Sequence, residues 1–307
     1  MVNEQRIKAA KMKQSKSNFS MAAASLKGLG RGKVIENLKK GILFLFLLAI
    51  AFSTIYPMYF MVITAFKTTK DYMLHKFAFP SVFVSDNLYY AWVKVGLQRY
   101  FSNTLLVVGV GVIIYLIVCS MAAYAFAKMR FRFRLGLFLT VLGLMVLPQV
   151  VLVVPLYKLV TSLGLLNNRI GLSLVYVAYF APFGVYLMTA YYRGIPDEII
   201  EAAKLDGASV WQTYIWIMLP MGKPTIATMT VIGFLSMWNE LLYSLLFLQK
   251  STKRTLMLGI ALMQGQYGAE VPRLTAGLLI TCIPVVVIFL IFQRYITKGL
   301  TAGAIKE

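Results

Sequence analysis

Apolar residues along this chain come in long runs that are separated by shorter polar and charged segments. The runs predict helices at residues 41–63, 102–126, 135–157, 170–192, 224–248 and 274–293. A helix needs about 20 predominantly apolar residues to cross the hydrocarbon core of a bilayer, which is about 30 Å thick. The pattern therefore predicts an all-α polytopic membrane protein with six transmembrane helices.

Composition supports the membrane class. The chain has 307 residues, of which 59% are hydrophobic, and its mean hydropathy is +0.74. These values are too apolar for a soluble domain of this length. Prolines inside the apolar runs predict kinks, which membrane helices tolerate when neighbouring groups satisfy the freed carbonyls; they are Pro57, Pro148, Pro155, Pro182 and Pro284.

The formal net charge of +20 invites a nucleic-acid interpretation, but the basic residues lie between and beside the apolar runs. If the N-terminus is cytosolic, 20 of the 31 Lys and Arg residues fall in cytosolic segments and 11 in external loops. That bias is the one that cytosolic loops of membrane proteins carry. We therefore expect no nucleic-acid partner, and we expect a multi-pass protein of a prokaryotic cell membrane with both termini in the cytosol.

The same pattern predicts four regions along the chain. Residues 1–40 form a basic cytosolic tail, and residues 41–101 form the first transmembrane helix and an external loop. Residues 102–293 form a core of five helices, and residues 294–307 form a cytosolic C-terminal tail.

The sequence carries no motif for catalysis or metal binding. Cys119 and Cys282 lie inside apolar runs without metal-ligand spacing, and His75 is the single histidine. No H-E-x-x-H motif, catalytic histidine cluster or convincing nucleophile elbow is present. We therefore expect neither an enzyme nor a bound metal.

A polar segment rich in small residues lies between the fourth and fifth apolar runs. Pro196 is allowed at the first position of a helix, where its missing N–H costs nothing. Gly207 can adopt the left-handed conformation that ends a helix. The segment therefore predicts a short helix at residues 196–207. Three acidic residues in its first turns favour the positive helix end: Asp197, Glu198 and Glu201.

The residues that follow predict a second helix after this short one. Ser209 and Gln212 have the spacing of a capping box, which opens a helix by reciprocal hydrogen bonds. Ala202 and Ala203 favour a helix and have little bulk, so that a partner surface could approach the first helix closely. A short rigid helix of this kind could transmit motion between a soluble motor and a membrane bundle.

The segment resembles the EAA loop of ABC importer permeases, the membrane subunits that have no ATPase of their own. The resemblance lies in the spacing of Glu201-Ala202-Ala203, Gly207 and Ile217-Met218-Leu219-Pro220. Softer similarities to the maltose-type sugar permeases occur from Ala181-Pro182-Phe183 through Arg193-Gly194-Ile195-Pro196 and at Trp238-Asn239-Glu240. Two more lie in the 264–277 loop into the sixth apolar run and in the tail from Gln293 to Ala304. Together they cover roughly residues 40–307 and imply a type I ABC importer permease fold.

This resemblance implies a set of partners. A second, homologous permease subunit, two ATPase subunits and an extracellular or periplasmic sugar-binding protein would assemble with the chain to import a sugar or oligosaccharide. The chain itself would hold no cofactor, because ATP and Mg would be bound by the ATPase subunits. The residues implied in coupling to the ATPase are Glu201, Ala202, Ala203, Asp206 and Gly207. The residues implied in contact with the binding protein are Gln264, Gly265, Gln266, Tyr267 and Gly268.

Polar groups at membrane depth are costly and usually face a cavity or a partner. Glu240 is the one acidic residue well inside a predicted span, about 24 Å from Pro224 at 1.5 Å per residue. With Asn239, Tyr243 and Gln149 it could line the translocation path or a gate. The alternative is a structural hydrogen bond to a neighbouring helix, and the sequence leaves both open.

Other functions remain as alternatives. A permease for another solute would fit the same coupling segment. A polyamine permease would be expected to have an acidic cluster in its spans, and a glycerol phosphate permease a buried Lys or Arg. The sequence shows neither feature inside the predicted spans. A secondary transporter would need ion-coupling residues or inverted repeats. The single intramembrane Glu and the lack of a repeat argue against it.

Overall fold

The computed structural model describes residues 36–266 and 270–304, and every regular element in these ranges is helical. The chain divides after Phe60 into two compact units. The first contains most of a long apolar helix, α1 (Glu36–Ala65). The second contains all the elements that follow.

Three short helical elements follow α1. They are α2 (Thr69–Leu74), α3 (Asp86–Tyr89) and a π-helical turn (Tyr90–Lys94). The buried Asn87 side chain donates to the carbonyls of Ala65 and Lys67 and so ties α3 to the end of α1. The predicted external loop is therefore a folded segment.

The core of the second unit is built on two long helices, α4 (Leu97–Lys128) and α7 (Arg169–Arg193), which pack along each other. The Ser173 hydroxyl donates to the Val107 carbonyl over 2.8 Å at this interface. Small residues let the helices approach closely, since a Cβ placed on Gly184 would lie 2.5 Å from the Tyr115 hydroxyl.

Two further helices complete the core. Helix α11 (Lys223–Trp238) packs against both α4 and α7, and also against α14 (Val271–Ala304). The buried Trp238 indole donates to the Thr281 carbonyl over 3.2 Å and joins α11 to α14.

The third predicted span is broken, which corrects the single helix expected at residues 135–157. The structure has α5 (Arg134–Gly143) with a 3-10 turn (Leu144–Val146), and then α6 (Gln149–Ser162) at an angle of 107°. Pro148 caps the start of α6, and Leu147 before it has the extended backbone that a following proline favours. The proline therefore divides the run and does not merely kink it.

The fifth predicted span, at residues 224–248, is also wrong as one helix. Helix α11 ends at Trp238, and a separate short helix, α12 (Leu242–Phe247), follows a break. Glu240 lies in that break, so the height of about 24 Å along one helix does not apply to it. The bent pair found here precedes the break: Val210–Met221 joins Lys223–Trp238 at 75°.

Within the described residues, four helices are long and apolar enough to cross a membrane, and the two bent pairs bring the number to six. The predicted all-α protein with six membrane passes is therefore supported, with two passes made of broken helices. The remaining elements are a 3-10 turn (Ser251–Lys253) and α13 (Leu256–Gln266). The predicted C-terminal tail is helical as far as Ala304, because α14 continues to that residue.

Candidate functional site

The polar segment after α7 folds as a short helix, a stop and a second helix. Helix α8 spans Asp197–Leu205, slightly shorter than the predicted 196–207, because Pro196 is its N-cap and has an extended ψ of 139°. Gly207 has a φ of +80°, the left-handed conformation expected of it. Asp197 and Glu198 lie in the first turn, as predicted.

The next helix begins with the predicted capping box. The Ser209 hydroxyl accepts from the Gln212 N–H, and the Gln212 side chain accepts from the Ser209 N–H over 2.7 Å. Helix α9 (Val210–Gln212), a π-helical stretch (Thr213–Met218) and α10 (Leu219–Met221) then lead into α11.

Helix α8 has a buried face and an exposed face. Ile200 and Ala203 are buried against the rest of the chain. Ala203, which the sequence assigns to coupling, thus faces inward. The other residues predicted for coupling are exposed, namely Glu201, Ala202, Asp206 and Gly207.

Leu205 lies on the exposed face of α8 and was not among the residues predicted from the sequence. Its side chain is 89% exposed, the highest value among the exposed large apolar side chains of the described residues. Leu205 follows Glu201 by four residues and Ala202 by three, which places it on their face of the helix. This helical spacing is the feature of the sequence from which the exposed position of Leu205 could have been predicted. The exposed surface made by Glu201, Ala202 and Leu205 is called the coupling face below.

Two concavities flank this helix. One of about 430 Å³ lies towards α4 and is lined in part by Lys128, Arg130, Glu201 and Lys204. The other, of about 300 Å³, lies at the stop after α8, where Gly207 and Trp216 contribute to its wall. Helix α8 therefore protrudes between two concavities, a shape that a complementary protein surface could bind.

Asp197 at the start of α8 is paired with Lys128 at the end of α4. The ammonium lies 2.5 Å from the carboxylate, and the Lys128 side chain is only 3% exposed. The hydrogen bond and charge of Lys128, with smaller contributions from Arg130 and Arg134, lower the pKa of the Asp197 carboxyl.

A second polar group lies where α11 gives way to α12. The buried Glu240 carboxylate accepts hydrogen bonds from the N–H groups of Tyr243 and Ser244, at 2.8 and 3.2 Å. It also accepts from the side-chain amide of Gln149, the first residue of α6, at 3.0 Å. Glu240 thus caps α12 and joins it to α6, which is the structural role that the sequence left open.

Aromatic rings lie near this carboxylate. The Tyr176 ring is buried, and its hydroxyl has no hydrogen-bond partner among the described residues. The Tyr243 ring stacks on Phe247 at 5.8 Å and meets Tyr179 edge-on at 5.6 Å. Among the described residues the buried Tyr243 hydroxyl has no hydrogen-bond partner.

The structure brings three of the four predicted path residues together and separates the fourth. Gln149, Glu240 and Tyr243 are in contact through hydrogen bonds to Glu240. Asn239 is exposed instead, and its amide donates to the Leu235 carbonyl one turn back on its own helix.

The predicted binding-protein loop is largely helical. Gln264, Gly265 and Gln266 lie in the last turn of α13, and the side chain of Gln264 is exposed. Tyr267 and Gly268 lie outside the described residues. Beyond them, the Glu270 carboxylate accepts a hydrogen bond from the Thr69 hydroxyl of α2.

A buried polar network near this end of the bundle was not assigned by sequence. The Asn103 side chain donates to the carbonyls of Thr252 and Arg254 and accepts from the Arg169 guanidinium over 2.8 Å. These bonds hold the segment before α13 against α4 and α7. Asn103 gave only a weak signal, as one polar residue in an apolar run.

In the described ranges no group of three His, Cys, Asp or Glu residues is placed to hold a metal ion. Cys119 is buried and Cys282 half-buried, and both are free thiols. The described residues also present an exposed surface on the short helix α8 and a buried, hydrogen-bonded carboxylate at Glu240.

Comparison with known proteins gives consistent matches. Residues 116–302 match the family described as binding-protein-dependent transport system inner membrane component. A probable ABC transporter permease of Bacillus subtilis (strain 168), YurM, is 35% identical over 266 residues, which is 86% of each chain. The melibiose/raffinose/stachyose import permease MelC of the same organism is 31% identical and covers 81% of this chain and 91% of its own.

The fold also matches a solved structure. A bacterial ABC transporter involved in the import of the acidic polysaccharide alginate has a chain that aligns with a TM-score of 0.73 at 24% identity. The alignment covers 83% of this chain and 95% of that one. Together with the family match, this likeness confirms the type I ABC importer permease fold.

Proposed function

Because the chain belongs to the family of binding-protein-dependent transport system inner membrane components, we propose that it is a permease subunit of an ABC importer for a sugar or oligosaccharide. The sugar class is supported by similarity to permeases named for such substrates, including melibiose, raffinose, stachyose and diacetylchitobiose. A second permease subunit would supply the other half of the path.

Coupling to the ATPase rests on one observation, the exposed coupling face. A leucine that is 89% exposed beside a small alanine gives an apolar contact surface, and Glu201 adds a charge for a basic partner group. Burying an exposed leucine in an interface contributes about 1.5–3 kcal/mol.

Two buried charged groups argue against the alternative solutes. Glu240 already accepts three hydrogen bonds from this chain, so it is poorly placed to hold a polycation. The buried Lys67 ammonium donates to the carbonyls of His75 and Lys76 just beyond α1, so it is not available for an anionic phosphate. A neutral sugar needs neither group.

Glu240 and Gln149 contribute to this function by fixing a break in the wall of the path. The Glu240 carboxylate caps the N-terminus of α12 and is hydrogen-bonded to Gln149 of α6. Asn239, beside the break, is exposed. In this proposal the pair positions a gate, and an exposed amide such as that of Asn239 is available to a passing sugar.

The remaining partners follow from the same proposal. A binding protein outside the membrane would contact the end of α13 at Gln264 and Gly265, together with Gln266, Tyr267 and Gly268. Two ATPase subunits would hold ATP and Mg in the cytosol. The chain would perform no catalysis itself, and both of its termini would be cytosolic.

The proposal is tested by purification of the tagged chain from its native membrane in mild detergent, followed by mass spectrometry. We expect an ATPase, a second permease and a sugar-binding lipoprotein, and no ATP hydrolysis by the chain purified alone. The lipoprotein would then be screened against oligosaccharides.

Variants make this test specific. Leu205→Asp changes the coupling face and should release the ATPase while the second permease stays bound. Leu163→Asp is a matched control, since Leu163 is also exposed, at 61%, but follows α6 at the other end of the bundle. Recovery of a homo-oligomer without any ATPase would contradict the proposal and favour a secondary transporter.

A further inference from the structure

Both flanks of helix α8 are attached to one face of α4. Ser120, Tyr124 and Lys128 follow one another at intervals of four residues, so they form a stripe along the last turns of that helix. All three touch the segment that carries α8, and they are called the α4 stripe below.

The attachment before α8 is made by Lys128. Its ammonium donates to the carbonyl of Ile195 and to the Asp197 carboxylate, which are the two residues on either side of the N-cap Pro196. The side chain is 3% exposed, so the cation is held in a largely dry position where these two partners replace water.

The attachment after α8 is made by the other two residues. The hydroxyls of Ser120 and Tyr214 lie 2.7 Å apart in a buried hydrogen bond. The rings of Tyr124 and Tyr214 pack with centroids 5.6 Å apart. Tyr214 lies in the π-helical stretch that follows the capping box, so it fixes the far flank of the segment.

Between the two attachments α8 is not packed tightly onto α4. An apolar cavity of about 260 Å³, lined in part by Met121, Tyr124 and Trp211, opens beside the stripe. The larger hollow lined by Lys128 and Glu201 adjoins it and shares Tyr124. A hollow therefore separates part of α8 from α4, although Ile200 and Ala203 of α8 are buried against the rest of the chain.

We propose that the α4 stripe is the element through which movement of α8 reaches the membrane bundle. Movement of the coupling face is transmitted to α4 through the contact of Asp197 with Lys128 and through the contacts of Tyr214 with the stripe. Helix α4 in turn packs along α7 and against α11. Lys128 and Ser120 act as positioning residues, since neither belongs to the coupling face. This inference rests on the proposed function, because it assumes an ATPase at that face.

The test uses the assembled importer in liposomes with its binding protein, and it measures ATP hydrolysed and sugar transported in the same sample. Lys128→Met should leave the ATPase bound and hydrolysing, while the sugar moved per ATP falls roughly five-fold or more, the scale of a lost coupling free energy. Lys128→Arg, which retains the charge and donors, should restore the ratio.

Two further variants keep the test decisive if the buried methionine impairs folding. Asp197→Asn alters an exposed side chain and should lower the ratio in the same direction. Tyr214→Phe removes the hydroxyl of the far attachment and should do likewise. Lys204→Met is the control, because this exposed lysine lines the same hollow without belonging to the stripe.

The outcomes separate this inference from the proposed function. If the sugar transported per ATP hydrolysed is unchanged in Lys128→Met and Tyr214→Phe, the role of the stripe is overturned. This holds also if hydrolysis and transport both fall in proportion. Absence of any ATPase from the wild-type complex would instead overturn the proposed function.

Discussion

Gln149 donates a hydrogen bond of 3.0 Å to the carboxylate of Glu240, and this bond joins two places where helices break. Gln149 opens α6 directly after the turn of 107°, and Glu240 precedes α12 directly after α11 ends. Breaks in membrane helices leave backbone groups unsatisfied unless the protein supplies partners. One side-chain pair here helps to satisfy the break at α12 and fixes its position relative to the break at α6.

We expect Glu240→Gln to destabilise the chain by about 1–3 kcal/mol, because a buried N–H donor of α12 would then face an amide that donates as well. Gln149→Ala should cost less, about 0.6 kcal/mol, since the carboxylate keeps its two backbone donors. Thermal unfolding in detergent of chains that also carry Cys282→Ala, followed with a thiol-reactive dye at the buried Cys119, would measure both.

Asn239→Ala is the control for this pair, because that side chain is exposed and bonds within its own helix. Its unfolding midpoint should not change. If Gln149→Ala proved as costly as Glu240→Gln, the bond to α6 and not the cap of α12 would be the main contribution of Glu240.

The short helix and its stop could be predicted from sequence because their chemistry is local. Gly207 and the capping box of Ser209 and Gln212 act on residues within a few positions of themselves. The start of α8 was misplaced by one residue, since proline is tolerated both at the N-cap and at the first helical position. Helix ends are the least determined part of such predictions.

The helix breaks could not be predicted, because the apolar composition continues through them. Pro148 ends one helix and starts another, whereas Pro182 and Pro284 lie inside α7 and α14. The difference depends on which neighbours satisfy the freed carbonyls, and this is a property of the packed bundle. The contact between Lys128 and Asp197, 69 positions apart, has no sequence signal for the same reason.

Replacement of Gly207 should impair coupling through the backbone alone. The residue has a φ of +80°, and a Cβ placed there would meet no atom within 4 Å. Gly207→Ala should therefore cost about 1–2 kcal/mol, the penalty of the left-handed conformation. We expect less sugar uptake per ATP in reconstituted importer, because the end of α8 would shift.

Gly164 offers a matched control for that experiment. It also has a positive φ, of +68°, with no atom within 4 Å of an added Cβ, and it lies between α6 and α7. Gly164→Ala should lower the unfolding temperature as much as Gly207→Ala but leave coupling intact. Normal uptake by Gly207→Ala would refute the importance of this stop.

The pairing of Asp197 with Lys128 predicts a specific pH dependence. The neighbouring cation lowers the pKa of this carboxyl below its ordinary value, which is about 4 in an unfolded chain. Its stabilising contribution is therefore present above that pH and is lost as the pH falls through the lowered folded pKa. The unfolding midpoint of wild type minus that of Asp197→Asn should be constant from about pH 5 to pH 8 and vanish in stronger acid.

The variant in this comparison removes the effect of other carboxyls, such as Asp71, whose pKa is also lowered. A difference that changed between about pH 6 and pH 8 would contradict the assignment, since a carboxyl whose pKa is lowered does not titrate there.

The proposed orientation can be tested by cysteine labelling in whole cells. In a background with Cys119 and Cys282 replaced by Ala, we expect Ser251→Cys to react with a membrane-impermeant maleimide. Leu205→Cys, although 89% exposed in the chain, should react only after permeabilisation, because the coupling face lies in the cytosol in this proposal. Labelling in the opposite pattern would invert the topology and exclude a cytosolic ATPase at α8.

The close contact of α4 and α7 predicts that Gly184 tolerates no larger residue. A Cβ there would lie 2.5 Å from the Tyr115 hydroxyl, and the Tyr115 ring is already confined by Gly233 of α11, where an added Cβ would lie 3.0 Å away. Gly184→Ala must therefore push α7 away from α4 and should cost about 1–3 kcal/mol.

Gly109→Ala on α4 is the control, because no atom lies within 4 Å of its Cβ position. It should be neutral or slightly stabilising, since alanine favours a helix over glycine by up to about 1 kcal/mol. Thiol labelling of Cys119, buried one turn from Tyr115 and bonded to the Ala181 carbonyl of α7, reports on this interface directly. Equal labelling rates in the two variants would mean that the helices adjust without separating, and the close approach would then not limit the size of this residue.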